Sequence, residues 1–87
     1  MTSKTVTIQN EVGLHARPAT FFIQKANSFK SNIMIEKGNR RANAKSLLGV
    51  LSLGIEKGHE IIIQAEGSDE GEAAEGLARL LLDSFND

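Results

Sequence analysis

Four stretches of the chain alternate between apolar and polar residues, the pattern expected of strands with one buried face. They are residues 5–9, residues 31–37, a short return segment containing Ala42 and Ala44, and residues 60–66. In the first stretch Val6 and Ile8 fall on one face. The turn-forming sequence at residues 37–40 separates the second and third stretches, so these two are predicted to form a hairpin.

Three other segments carry apolar residues at intervals of three and four, as amphipathic helices do. The first starts at Ala16, with Pro18 in its first turn, where a missing N–H breaks no helical hydrogen bond. A short helix is predicted from Leu47, capped by Ser46 and ended by Gly54. Asp69 caps the third helix, whose predicted buried positions are Ala73, Ala74, Leu77, Leu80, Leu81 and Phe85.

The resulting order is β-α-β-β-α-β-α, without a linker, a repeat or a low-complexity tract. Because the strands alternate, only one sheet face needs a cover. We therefore predict an α+β fold, a two-layer open-faced sandwich with all three helices on one face of the sheet, and a single domain over residues 1–87.

Composition narrows the functional classes. A chain of 87 residues builds one small core, so a deep enzymatic pocket is not expected. The net charge of -1 argues against nucleic acid as the main partner. Cysteine is absent, and the two histidines are far apart in sequence, so no metal site is predicted. With no signal peptide or apolar span, we expect a cytoplasmic protein.

The candidate chemistry lies at the start of the first helix, where His15 precedes Ala16 and Arg17. The backbone amides of those two residues have no partner within the helix, and the helix dipole adds positive charge there. Arg17 contributes a cation whose fork of donors suits phosphate. An imidazole beside such an anion site favours passive anion binding or acceptance of a phosphoryl group over acid–base catalysis, which needs a second group and a pocket.

Residues 13–19, GLHARPA, and 43–54, NAKSLLGVLSLG, resemble the two signature stretches of HPr, the histidine-containing phosphocarrier of the bacterial phosphoenolpyruvate:sugar phosphotransferase system. The resemblance extends over essentially the whole chain. It implies an antiparallel four-stranded sheet of order 1-4-2-3.

The resemblance also implies a relay. His15 would accept a phosphoryl group on Nδ1 from phosphorylated enzyme I and pass it to enzyme IIA of a sugar permease. Arg17 would orient that group, and the amides of Ala16 and Arg17 would receive its oxygens. Such a protein is a covalently modified carrier rather than a turnover catalyst, needs no cofactor and is expected to be a monomer. Val12 stands where many relatives have a polar side chain, so one hydrogen bond fewer is expected.

Ser46 has two predicted roles. It is a favoured helix cap, and the resemblance adds phosphorylation by HPr kinase/phosphorylase, as in Gram-positive bacteria. A phosphate there is expected to weaken docking to enzyme I and to favour the transcriptional regulator catabolite control protein A.

A partner interface is predicted around the short helix. We expect Leu47, Leu48 and Leu51 to face outward while Val50 and Leu53 face inward, because a helix on a sheet buries only about half of its circumference. Thr20 and a basic rim with Lys45 are predicted to complete this interface.

Two rival functions remain open. One is a regulatory module in which Ser46 phosphorylation controls binding to a transcription factor and His15 is vestigial, although regulatory paralogues that lack the histidine differ from this chain. The other is a small anion-binding domain without covalent chemistry.

Overall fold

The computed structural model describes residues 1–9, 13–14 and 16–82. Its seven elements follow the predicted order. They are β1 (Thr2–Thr7), α1 (Ala16–Asn27), β2 (Asn32–Lys37), β3 (Arg40–Asn43), α2 (Leu47–Ser52), β4 (Glu60–Glu66) and α3 (Glu70–Leu82). Of the predicted buried positions in α3, Phe85 lies outside the described residues.

The four strands form one antiparallel sheet of order β1-β4-β2-β3. The central strand β4 places Ile61 opposite Val6 and Ile63 opposite Ile35. All four side chains are buried. Since alternate residues face opposite sides of a sheet, this register brings the apolar positions of neighbouring strands to the same face. The predicted open-faced sandwich is confirmed.

The core lies between that face and the helices. Helix α1 contributes Ala19, Phe22 and Ala26, and α3 contributes Ala73, Ala74, Leu77 and Leu81, all with an exposed fraction of 0%. Helix α3 packs against the first, second and fourth strands and against α1, which in turn contacts α2. The period of three and four in the sequence therefore identified the buried side of α3, except that Leu80 is half-buried at the edge of the core.

The first strand begins and ends earlier than predicted. It starts at Thr2 rather than Thr5, because its first residues pair with the far end of β4, Thr2 lying opposite Ala65. Ile8 follows the strand but is still buried. Its N–H donates to the carbonyl of His59 at 2.9 Å, and its carbonyl accepts from Gly58 at 2.9 Å. These bonds hold the chain against the sheet as it leaves β1.

Two carboxylates at the start of α3 join distant parts of the chain. Asp69 accepts hydrogen bonds from the N–H groups of Lys30 and Ser31 and from the Ser31 hydroxyl. The Ser31 hydroxyl bond is the largest of the contacts that lower the pKa of Asp69. Glu70 accepts from the Thr2 hydroxyl at 2.8 Å and pairs with the Met1 amino group at 3.0 Å. The pKa of Glu70 is lowered to about 2, chiefly by the bond from Thr2.

Candidate functional site

The two residues before His15 are fixed by the segment that follows α2. Leu14 is buried, and its N–H donates to the carbonyl of Ile55 at 3.0 Å. Gly13 has a φ of 62°, and a Cβ at that position would lie 2.4 Å from the Ile55 carbonyl oxygen. The chain therefore approaches the start of α1 from an anchored position. His15 itself and Val12 lie outside the described residues.

Helix α1 begins at Ala16, directly after His15 in the sequence. Pro18 lies in its first turn, as predicted, and is buried, while Arg17 is exposed. As at any helix start, the first-turn amides of Ala16 and Arg17 have no acceptor within the helix itself, and the helix dipole adds partial positive charge at this end. The described backbone thus fits an anion site at a helix start with a cation beside it.

The Arg17 guanidinium lies over an aromatic ring. Its Cζ atom is 5.9 Å from the ring centroid of Phe21, four residues further along α1. Phe21 is 44% exposed. The contact is a cation–π pair on the outer face of the helix.

Ser46 caps α2, as predicted. Its backbone is extended, with φ -108° and ψ 116°, and its hydroxyl oxygen accepts from the Gly49 N–H at 3.1 Å. Ser46 is exposed. The hydroxyl is therefore a structural acceptor on an exposed residue.

The leucines of α2 divide almost as predicted. Leu47 and Leu48 are 40% and 80% exposed, whereas Val50 and Leu53 are buried. Leu51 is the exception: it is half-buried and packs against the core, although we expected it to face outward. Leu48 lies nearly opposite the buried Val50 on the helix, whereas the half-burial of Leu51 comes from the packing of α2 against the core rather than from its position in the helical period. The exposed apolar surface of α2 therefore consists of Leu47 and Leu48.

Lys45 is less available to a partner than we predicted for the basic rim of the interface. Its Nζ donates to the carbonyl of Phe29 at 2.8 Å, and the side chain is half-buried. The carbonyl of Phe29, just beyond α1, attracts a cation because it has no helical N–H to accept from. Lys45 thus ties the turn before α2 to the end of α1. Thr20, the remaining predicted interface residue, is exposed on α1.

Helices α1 and α2 run in opposite directions. The start of α1 is bonded through Leu14 to Ile55, after α2, whereas Asn27 at its end donates to the carbonyl of Lys45, before α2, at 3.4 Å. The 12 residues of α1 span about 18 Å at 1.5 Å each. Ser46 therefore lies toward the end of α1 that is remote from Ala16 and Arg17.

The second histidine has a structural role. His59 is half-buried, and its Nδ1 accepts from the Glu56 N–H at 2.9 Å. Within residues 1–9, 13–14 and 16–82 no three His, Cys, Asp or Glu side chains are grouped so as to hold a metal ion. Among the described helices, none combines the length and apolar character that a membrane crossing requires.

Three contributors to the site were missed at the sequence level. They are the left-handed Gly13, its neighbour Ile55 and the aromatic partner of Arg17. The spacing of four between Arg17 and Phe21 was a usable signal, because such residues are neighbours on a helix. The contact between Gly13 and Ile55 joins segments about forty residues apart and leaves no local pattern.

An open-faced α+β sandwich with an exposed arginine in the first turn of one helix and exposed leucines on the adjacent helix defines a small protein whose candidate site lies on the surface. The chain belongs to the HPr family of phosphotransferase-system phosphocarriers. The family model described as "PTS HPr component phosphorylation site" matches residues 2–83.

Individual relatives agree with this assignment. The HPr-like protein Crh of Halalkalibacterium halodurans is 48% identical over 77 residues, which cover 88% of this chain and 92% of that protein. The crystal structure of HPr-C-His from Thermoanaerobacter tengcongensis superposes with a TM-score of 0.96 at 45% identity, covering 100% of this chain and 98% of that one. Crh of Bacillus subtilis, described as a swapped, intertwined dimer, has a TM-score of 0.77 at 39% identity and full coverage of both chains.

Proposed function

We propose that this protein relays a phosphoryl group from phosphorylated enzyme I, through His15, to enzyme IIA domains of sugar permeases. The observation that carries the proposal is the start of α1: the helix begins at the residue after His15 and carries the exposed Arg17 in its first turn. Membership of the HPr family supplies the reaction class.

The chemistry requires a nucleophile, positioning and charge neutralisation. A lone pair on Nδ1 of the neutral His15 imidazole attacks phosphorus, the N–P bond forms, and the bond to the donor breaks with its electron pair remaining on the donor. The reverse process delivers the group to the next acceptor. The first-turn amides of Ala16 and Arg17 stabilise the phosphoryl oxygens, and the Arg17 guanidinium offsets their charge. Phosphoryl transfer depends mainly on such positioning, so a surface site suffices.

The relay is tested by reconstitution with phosphoenolpyruvate, enzyme I and an enzyme IIA domain. Labelled phosphate should reach enzyme IIA only when this chain is present. Arg17→Ala should slow transfer about tenfold or more, since a hydrogen bond to a charged group contributes ~1.5–3 kcal/mol. Glu72→Gln, an exposed change on α3, serves as the control and should transfer normally. Equal rates for Arg17→Ala and wild type would remove Arg17 from the mechanism.

Partner docking is assigned to the exposed surface formed by Leu47 and Leu48, with Thr20 on the neighbouring helix. Leu48, at 80% exposure, offers apolar area that a partner can bury. Leu48→Ser should weaken binding to enzyme I, measured by titration calorimetry, without unfolding the chain. Unchanged affinity would place docking elsewhere.

Ser46 is proposed as a regulatory site for HPr kinase/phosphorylase. Ser46 is an exposed residue, and a phosphate at a helix start is compatible with the fold. Because Ser46 lies toward the other end of α1 from Arg17, its phosphate would act on partners that cover both helices, repelling enzyme I and favouring catabolite control protein A. Incubation with ATP and the kinase should give acid-stable phosphate that is absent from Ser46→Ala. Phosphate in that variant would exclude Ser46.

The carrier is proposed to act in the cytoplasm as a single-domain monomer over residues 1–87. Its four strands pair within one chain, with β1 in continuous register against β4 from Thr2 to Thr7. Sedimentation equilibrium at the concentrations of the relay assay should give the monomer mass. A dimer mass would contradict the monomer and would align the chain with the assembly described for Crh of Bacillus subtilis.

A further inference from the structure

Phe21 is a large aromatic residue on the solvent side of α1. It is 44% exposed, whereas its neighbour Phe22 is fully buried. Position 21 falls outside the apolar stripe of the helix, so packing in the core does not account for an aromatic ring there. The Arg17 guanidinium lies over this ring, with 5.9 Å from Cζ to the centroid.

The geometry of the pair allows the Phe21 ring to position the Arg17 guanidinium. Helical side chains point back toward the N-terminus, so the ring of Phe21 covers the turn that carries Arg17. A guanidinium stacks through its flat face, while its five N–H donors lie in the plane and point outward from the edge. Arg17 can therefore keep its contact with the Phe21 ring and still donate to an anion at the start of α1.

We infer that Phe21 is a positioning residue for Arg17. Its ring limits the rotamers of the long arginine side chain and holds the guanidinium over the first turn of α1, so less conformational entropy is lost when Arg17 engages a phosphoryl group. This inference rests on the proposed function, because it requires a phosphoryl group on His15. The pair is exposed and near the ~6 Å limit of cation–π contacts. It therefore raises the population of Arg17 rotamers that contact the ring by about two- to fivefold.

The contact between Arg17 and Phe21 is tested first by NMR of the unphosphorylated protein. Protons on Cδ of Arg17 should show an upfield ring-current shift in wild type. Phe21→Leu, which keeps an apolar side chain of good helix propensity, should remove that shift, and Phe21→Tyr, which keeps the aromatic face, should retain it. The same Arg17 shifts in wild type and Phe21→Leu would overturn the inference.

The functional consequence is tested by a double-mutant cycle on the rate of phosphoryl transfer from enzyme I. Phe21→Leu should slow transfer about two- to fivefold when Arg17 is present and should have no effect in the Arg17→Ala background. Phe21→Tyr should restore the rate. A merely structural or docking role for Phe21 would slow transfer equally in both backgrounds, and that result would overturn the inference.

The two proposals fail in different ways. Wild-type protein that takes up no phosphoryl group would overturn the proposed function and the positioning role with it. Normal labelling of wild type, with no coupling between Phe21 and Arg17, would overturn only the positioning role.

Discussion

Gly13 sets the path of the chain into the site. Its φ of 62° is a left-handed conformation, and an added Cβ would meet both the Ile55 carbonyl oxygen at 2.4 Å and the Glu56 Cα at 2.7 Å. Gly38, in the β2–β3 turn, has the same φ of 62°, but a Cβ added there would meet no atom within 4 Å. Comparing the two positions therefore distinguishes the cost of a left-handed backbone from the cost of a steric clash.

Alanine substitution at these positions should have unequal effects. Gly38→Ala should destabilise the fold by about 1 kcal/mol through the left-handed conformation alone. Gly13→Ala should cost at least about 2 kcal/mol, because the clash with the Ile55–Glu56 backbone adds to that strain. Urea unfolding of both variants measures the difference, and equal free energies of unfolding would mean that the contact with Ile55 is unimportant.

Glu70 makes stability depend on acid pH. Its pKa is about 2 in the folded protein against an ordinary value of 4.5, because Thr2 and the Met1 amino group stabilise the carboxylate. A lowered folded-state pKa gives stability that is present above pH 4.5 and is lost as the pH falls toward 2. The free energy of unfolding of wild type should therefore decrease over that interval.

Glu70→Gln should flatten this pH profile, leaving the contributions of Asp69 and Glu75, whose pKa values are also lowered. Glu72→Gln removes the same charge from the same end of α3 at an exposed position and should keep the wild-type profile. Urea titrations between about pH 2 and 6 measure the free energy of unfolding of the three proteins and compare their pH profiles. Profiles of equal slope for wild type and Glu70→Gln would show that the Thr2 and Met1 contacts do not persist in solution.

At the scale of elements, α2 depends on its cap. The helix has only six residues, and the Ser46 hydroxyl oxygen accepts a hydrogen bond from the Gly49 N–H at 3.1 Å. This bond satisfies one of the first-turn N–H groups that have no acceptor within the helix. Ser46→Ala should reduce stability by about 1 kcal/mol. Ser46→Asp keeps an acceptor at the cap and should remain within a few tenths of a kcal/mol of wild type. Thermal unfolding compares them, and an unchanged Ser46→Ala variant would contradict the capping role.

The elements themselves were largely predictable from sequence. Period, caps and turns are local properties, so β4 at Glu60–Glu66 and α2 after Ser46 were placed correctly. The start of β1 was not, because Thr2 joins the strand only through its pairing with Ala65. The half-burial of Leu51 likewise follows from how α2 rests on the core rather than from its own sequence.

The candidate site was predictable in part for the same reason. Pro18, Arg17 and the cap at Ser46 belong to helix starts, which have local signatures. Lys45 was expected at an open rim, but its ammonium is bound to the Phe29 carbonyl, a contact between residues 16 positions apart. Side chains that are used by distant backbone groups cannot be identified from periodicity.

At the scale of the whole molecule, two antiparallel helices present one surface on the covered side of an open-faced sheet. The start of α1 carries Arg17, and the start of α2 carries Ser46 with the exposed leucines. The hydrogen bonds of Leu14 and Asn27 fix the two helices relative to each other at both ends. A partner that covers this surface can therefore meet both the proposed phosphoryl acceptor and the proposed regulatory residue. This arrangement needs no enclosed pocket, in keeping with a relay.

The most direct test is the intact mass of the protein after incubation with phosphoenolpyruvate and enzyme I, before and after mild acid. The account predicts the addition of one acid-labile phosphoryl group to wild type and none to His15→Ala, whose circular dichroism should match wild type. The absence of a mass gain in wild type, or the same gain in His15→Ala, would contradict the assignment of His15 as the phosphoryl carrier.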